Sequence, residues 1–342
     1  MWYDVQCPLR LKGLVYNFLP SWWNRSYGVT FGKRFAYSPD YRAERMAFMT
    51  RTIAERFPEL CIGDLHAVEG PSGPDFGNAM VAAAAGCEVF YPEDNYVWST
   101  PLPASKQAAP PLPVPLEETF PFDEIIRQTQ AHFEKYQVDT EVSIGHRGVL
   151  NEAVLIFGDR VFGDLYEDPE EAVRMLDYAW RMNSAILDYN RKIGHKGTMM
   201  LANCTVEMIS AQTYEDWLFS YDLKLCEQML ASGMRVFLHH CGVVDRFLPA
   251  YGRLPGVTFV EIGWGSDIAA SLKSFPGAWV RYLLDPAWLL RAETKEVRET
   301  VTRLLAEAGP ELHRFALSVS GVEYGTPDAS LREILACCRA EG

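Results

Sequence analysis

From residue 168 to the C-terminus, short apolar runs alternate with helix-period stretches, and no other feature of the 342-residue chain constrains its fold as tightly. The runs 198–203 (TMMLAN), 234–241 (MRVFLHHC), 257–262 (VTFVEI), 278–284 (AWVRYLL) and 315–320 (FALSVS) have the length and continuous apolarity of buried parallel strands. Ahead of them, Asp168-Pro169-Glu170-Glu171 combines a capping carboxylate, a proline for the first turn and acids for the dipole. The helix it opens carries Val173, Leu176, Trp180 and Leu187 and stops at Gly194. Helices are also predicted over 213–232, over 286–309 and from Asp328 onward. Five βα units in a row predict an α/β fold, either a barrel or a doubly wound sheet. Weaker runs at 61–66 (CIGDLH), 87–91 (CEVFY) and 141–145 (EVSIG) would complete the eight strands of a (β/α)8 TIM barrel, the arrangement we expect over 61–342. Residues 1–60 are expected to be an N-terminal helical extension, in which Ser38-Pro39 opens a helix with Met46, Met49, Ile53 and Phe57 on one face. The stretch 101–118 is too rich in proline for a helix or a central strand and reads as a long surface loop.

A formal net charge of -13 with no block of Lys and Arg argues against nucleic acid or an anionic membrane as partner. The N-terminal MWYDVQCPLRLKG lacks the design of a signal peptide, and no run of about 18 apolar residues occurs, so a cytoplasmic location is expected. The eight cysteines show no regular spacing of the disulfide-stapled kind, which agrees with a reducing compartment.

The sharpest local feature is His239-His240-Cys241-Gly242 at the end of a strand run. Residues two apart on a strand share a face, so His239 and Cys241 can converge while His240 points elsewhere. An imidazole and a thiolate make half of a zinc site, and the rest of a barrel site must come from other strand ends. Cys204 and Glu261 stand at that place in their own βα units. Glu207 and Asp267 lie just past strand ends as candidate general acids, and His146-Arg147 is placed to bring a base and a cation to the barrel mouth. Asn203, Ser320 and Tyr324, with Arg147, are candidates to bind substrate. The segment 64–70 (DLHAVEG) approaches a corrinoid-binding Asp-x-His-x-x-Gly pattern but has Glu69 where glycine is needed, and we read it as chance.

The order of HHCG, GWGSDIAASLK, LLDPAWLL, EVRETVTRLL and GVEYGTPDASLREIL resembles the C-terminal half of the uroporphyrinogen decarboxylase superfamily. Upstream, RGVLNEAVLIFGDRVFGDLYEDPEEAVRML and ISAQTYEDWLFSYDLKL are similar to its central segment, so the resemblance covers roughly residues 140 to 340. It implies a (β/α)8 barrel, in agreement with the alternation. The Met-Arg-Gln-Ala-Gly-Arg signature of the true decarboxylases, which supplies arginines for substrate carboxylates, is replaced by 25-RSYGVTFGKRFAYSPDYRAE-44. The resemblance is therefore nearer to the corrinoid-dependent methyltransferase members, which carry His-x-Cys where His239 and Cys241 stand and a further cysteine where this chain has Ser320.

What this implies is a zinc-dependent component that moves a methyl group from a small methylated substrate, such as a methoxylated aromatic, to a corrinoid carried on a separate partner protein. His239, Cys241, Glu261 and Cys204 would be its metal ligands, with His239, Cys241, Glu261 and Ser320 expected in one cluster at the C-terminal ends of the strands. A metal-independent decarboxylase or lyase and a non-catalytic ligand-binding barrel are the alternatives, and a homodimer is left open.

Overall fold

The C-terminal βα units fold as a curled parallel sheet. In the computed structural model, which describes residues 2–4, 14–60, 76–108, 110–112, 115–136 and 143–340, nine strands are defined. They are β1 (Trp2–Asp4), β2 (Val15–Phe18), β3 (Val89–Phe90), β4 (Trp98–Ser99), β5 (Thr198–Ala202), β6 (Arg235–His240), β7 (Val257–Ile262), β8 (Trp279–Leu284) and β9 (Phe315–Val322). The main sheet runs in the order β1-β2-β9-β8-β7-β6-β5, with every pair parallel except β1–β2. All five apolar runs of the C-terminal region are thus strands, within a residue or two of their expected limits. The architecture is TIM-barrel-like, with the six parallel strands forming part of the ring.

Alternation along the strands sorts the two faces. In β6, Val236, Leu238 and His240 are fully buried on the helix side, while Phe237 and His239 turn to the barrel interior. Helices Pro169–Lys192, Phe219–Ala231 and Thr294–Ala308 cover the outer face with buried positions such as Met175, Leu176, Met182, Leu225 and Val301. The first of these is capped by Asp168, whose side chain accepts from the backbone N–H of Glu171, and the next residue after it, Ile193, leads into Gly194 at φ 78°. The predicted helix over 286–309 is two pieces, Pro286–Leu289 and Thr294–Ala308, and that over 213–232 includes a π-turn at Tyr214–Leu218.

Within residues 1–60, the helix Pro39–Arg56 opens where expected, but Val15–Phe18 is a strand that pairs parallel with β9. Its four residues are all buried, and a run this short within aromatic sequence carries no period of its own. The expected strand at 87–91 is a correction: Val89–Phe90 forms a two-stranded antiparallel pair with Trp98–Ser99, apart from the main sheet. Around 141–145, residues 143–148 form no strand, yet they lie along the end of β5, with Gly148 N–H donating to the Ala202 carbonyl and Ile144 held by Asn190 through both its N–H and its carbonyl. A Cβ on Gly148 would strike Asn203 Oδ1 and the Ala202 carbonyl, so this contact requires glycine. The candidate strand 61–66 and the segment 64–70 lie outside the described residues. Among the described residues, no helix is long and apolar enough to cross a membrane.

Candidate metal centre

Cys204, His239 and Cys241 bring one donor atom each within 4.8 Å of one another at the C-terminal ends of β5 and β6. The parallel register places Ala202 beside His239, so Cys204, two residues on, reaches the same level as Cys241. A backbone hydrogen bond from Asn203 N–H to the His239 carbonyl, 2.7 Å, ties the two chain ends together. Two sulfurs and one imidazole nitrogen suit zinc, and three protein ligands leave a tetrahedral position for water or substrate, as catalytic sites do.

The polar environment is built for such a charge. The hydrogen bond from the Cys241 thiol and, against the opposing pull of burial, another from His239 hold Cys204 down to about 4. Burial pulls the His239 imidazole down, but hydrogen bonds to Cys204 and Glu261 carry it up to about 10. Cys241, sharing its proton with the Cys204 thiolate, is pushed above the ordinary thiol range. Thiolate and imidazolium thus pair at neutral pH, and a cation would take the place of their protons.

Glu261 bonds to the far side of the His239 ring. Its Oε2 accepts from His239 Nδ1 at 2.6 Å, which leaves Nε2 as the ring's ligand atom, and its Oε1 accepts from Arg281 Nη1 at 3.1 Å. A buried carboxylate on the far nitrogen of a ligand histidine fixes its tautomer and orientation. Glu261, 3% exposed, stands behind the three-donor cluster. Arg281 was missed by sequence reasoning; the signal was a lone cation inside the otherwise apolar run AWVRYLL, and only the strand register sets it beside Glu261.

Glu207 sits on the turn after β5 with its Oε2 3.2 Å from Nε2 of the fully buried His240, and a Cβ on Gly242 would lie 2.8 Å from its carboxylate. His240 also faces the Tyr251 hydroxyl at 3.1 Å, and burial lowers its proton affinity. His240 therefore points to the helix side of the sheet, as alternation required. Asn203 is buried and donates to Asp222 at 2.5 Å, and Asp222, raised to about 6 by burial, also accepts from Tyr214 at 2.7 Å. These internal bonds occupy the Asn203 side chain.

The remaining candidates have surroundings of their own. Asp267 is exposed and caps helix Ile268–Ser274, accepting from Ala270 N–H at 2.8 Å, so its carboxylate is committed to the helix. His146 is buried, its Nδ1 on the Arg147 carbonyl, and burial pushes it down to about 4. The Arg147 carbonyl also accepts from Asn183, and the Arg147 side chain is half-buried. Ser320 is half-buried in β9 with its carbonyl accepting from Asn17 Nδ2 at 3.0 Å. Tyr324 is 51% exposed, beneath the Arg25 guanidinium.

No family model matches the chain. It is 25% identical over 220 residues to the methylcobamide:CoM methyltransferase MtbA of Methanosarcina mazei, covering 63% of this chain and 62% of that protein. Its likeness to the methyltransferase of that name from Methanosarcina acetivorans is 25% over 211 residues, 60% of each chain. The match therefore spans less than two thirds of the relatives' own length. A solved methyltransferase from Methanosarcina mazei shares the fold, with a TM-score of 0.66, 15% identity, and coverage of 95% of this chain and 91% of that one.

Proposed function

From a chain related in sequence to methylcobamide:CoM methyltransferases, we propose a zinc-dependent methyltransferase that moves a methyl group between a small substrate and a corrinoid held on a partner protein. The single observation that carries the zinc assignment is the convergence of Cys204, His239 and Cys241 with Glu261 behind the imidazole. Zinc would supply Lewis acidity to the substrate heteroatom that gives up or accepts the methyl group, an oxygen in the case of a methoxylated substrate. Glu261 holds His239 so that Nε2 faces the metal position, and Arg281 holds Glu261 in turn. Glu207, 34% exposed at its side chain and within 3.2 Å of His240, would give or take the proton at that heteroatom. Ser320 stands where the resembling methyltransferases carry a cysteine, and here Cys204 supplies the second sulfur from another strand end.

Metal analysis with methylation of a Co(I) corrinoid tests this reading. The parent protein should hold one zinc per chain and methylate the corrinoid only with a methylated substrate present. Cys204→Ser, His239→Ala and Cys241→Ser should each lose most of the zinc and the transfer. A parent free of metal after growth in zinc-replete medium, or full zinc in all three variants, overturns it.

A further inference from the structure

Cys204 and Cys241 follow the ends of two hydrogen-bonded parallel strands, each two residues past the register pair Ala202–His239. The bond from Asn203 N–H to the His239 carbonyl keeps the two chains paired beyond β5. Paired chains run about 4.8 Å apart, inside the span of roughly 4.4–6.8 Å between Cα atoms that a disulfide bridges. The two sulfurs already lie within 4.8 Å of each other, and the Cys241 thiol donates to Cys204, so a turn about Cα–Cβ is what separates them from bonding distance. Cys241 is exposed and Cys204 half-buried, whereas Cys87, Cys226, Cys337 and Cys338 are buried. Among the described cysteines, this pair alone combines proximity with access to solvent.

We propose that Cys204 and Cys241 form a reversible disulfide in the metal-free protein, made by a peroxide and undone by a thiol, which takes two of the three donors from the metal centre. A thiolate of the pair attacks one peroxide oxygen, the O–O bond breaks, and the sulfur becomes a sulfenic acid while hydroxide leaves and takes up a proton. The second thiol, losing its proton, attacks that sulfur and expels its oxygen as water. Two thiols and one hydrogen peroxide thus give one disulfide and two waters, the thiols losing the two electrons that the peroxide gains. The disulfide stands on the two sulfurs alone, and its effect on the metal rests on the zinc reading. A sulfur bound to sulfur is no longer a thiolate ligand, so bound metal and disulfide exclude each other.

The test treats the metal-stripped and the zinc-loaded protein with hydrogen peroxide, blocks the remaining thiols with N-ethylmaleimide and maps the chain with trypsin without reduction. Trypsin leaves Cys204 in 197–224 and Cys241 in 236–246, so the disulfide shows itself as one linked peptide. The stripped protein should yield that peptide, lose both thiols together, and take up zinc again only after dithiothreitol. The zinc-loaded protein should keep both thiols over the same interval. In Cys204→Ser, Cys241 has no partner to resolve its sulfenic acid and should go on to the sulfinic acid, which dithiothreitol does not reverse. A stripped parent in which the two sulfurs are recovered as thiols, or as separate sulfinic or sulfonic acids, overturns the proposal, and so does a linked peptide that dithiothreitol cannot open. A protein that binds no zinc yet forms the linked peptide would defeat the metal reading and leave the disulfide standing; one that binds zinc and forms no linked peptide when stripped would do the reverse.

Discussion

Glu261 and Cys204 show how single residues divide the work at the centre. Because Glu261 meets the three-donor cluster through the far nitrogen of His239, Glu261→Gln should leave the three donors in place and still weaken zinc binding by about 10–100-fold, measured by competition with a chromogenic chelator. Loss of all zinc would instead make Glu261 a direct ligand. In the metal-stripped protein, Cys204 is held down to about 4, so its alkylation by iodoacetamide should change little between pH 5.5 and 8, whereas an ordinary thiol speeds up about tenfold per pH unit there. Peptide mapping after labelling checks this, and a rate at Cys204 that climbs steeply through neutral pH would show an ordinary thiol. His239 and Cys241 were legible because strand alternation alone brings them to one face. Their third partner was legible only as one of several strand-end candidates, since which βα units meet at the mouth depends on register, and register is not written in the spacing.

The elements themselves were legible where periodicity and capping agreed. The five C-terminal strands and the Asp168-capped helix carry both signals and fold as expected. Val15–Phe18 is four residues long, and the segment Val89–Phe90 is paired by a local hairpin, so neither had a pattern that could separate a barrel strand from a short ribbon. The same overlap of signals affects Asp267, which follows a strand and precedes a helix, where a catalytic acid and an N-cap look alike. Its bond to Ala270 N–H assigns it to the helix. Asp267→Ala should therefore cost about 1 kcal/mol of stability in urea unfolding and leave zinc content and methyl transfer near parent levels. A transfer rate reduced by orders of magnitude with unchanged stability would return Asp267 to the chemistry.

At the scale of the whole molecule, the burial that holds the sheet against its helices also sets how stability responds to pH. Glu152 lies in helix Val149–Phe157, is 1% exposed, and has one carboxylate oxygen without a partner. Burial raises it to about 7, against a smaller pull downward from the nearby Arg147. A carboxyl whose proton is held more tightly in the folded chain stabilises the fold below its unfolded value near 4.5, and that contribution is lost as pH climbs through about 7. His146 works in the opposite sense: lowered to about 4 by burial, it stabilises the fold above its ordinary value near 6.5 and is lost as pH falls toward 4. Between pH 4.5 and 6.5 the two trends oppose each other, and above that window only Glu152 still acts. Glu152→Gln keeps the neutral form at every pH, so its melting temperature should match the parent near pH 5 and exceed it at pH 8, by an amount worth up to about 3 kcal/mol. Thermal melts of both proteins across pH 5 to 8 decide this, and a variant less stable than the parent at pH 8 would mean that ionised Glu152 has a partner that stabilises its charge.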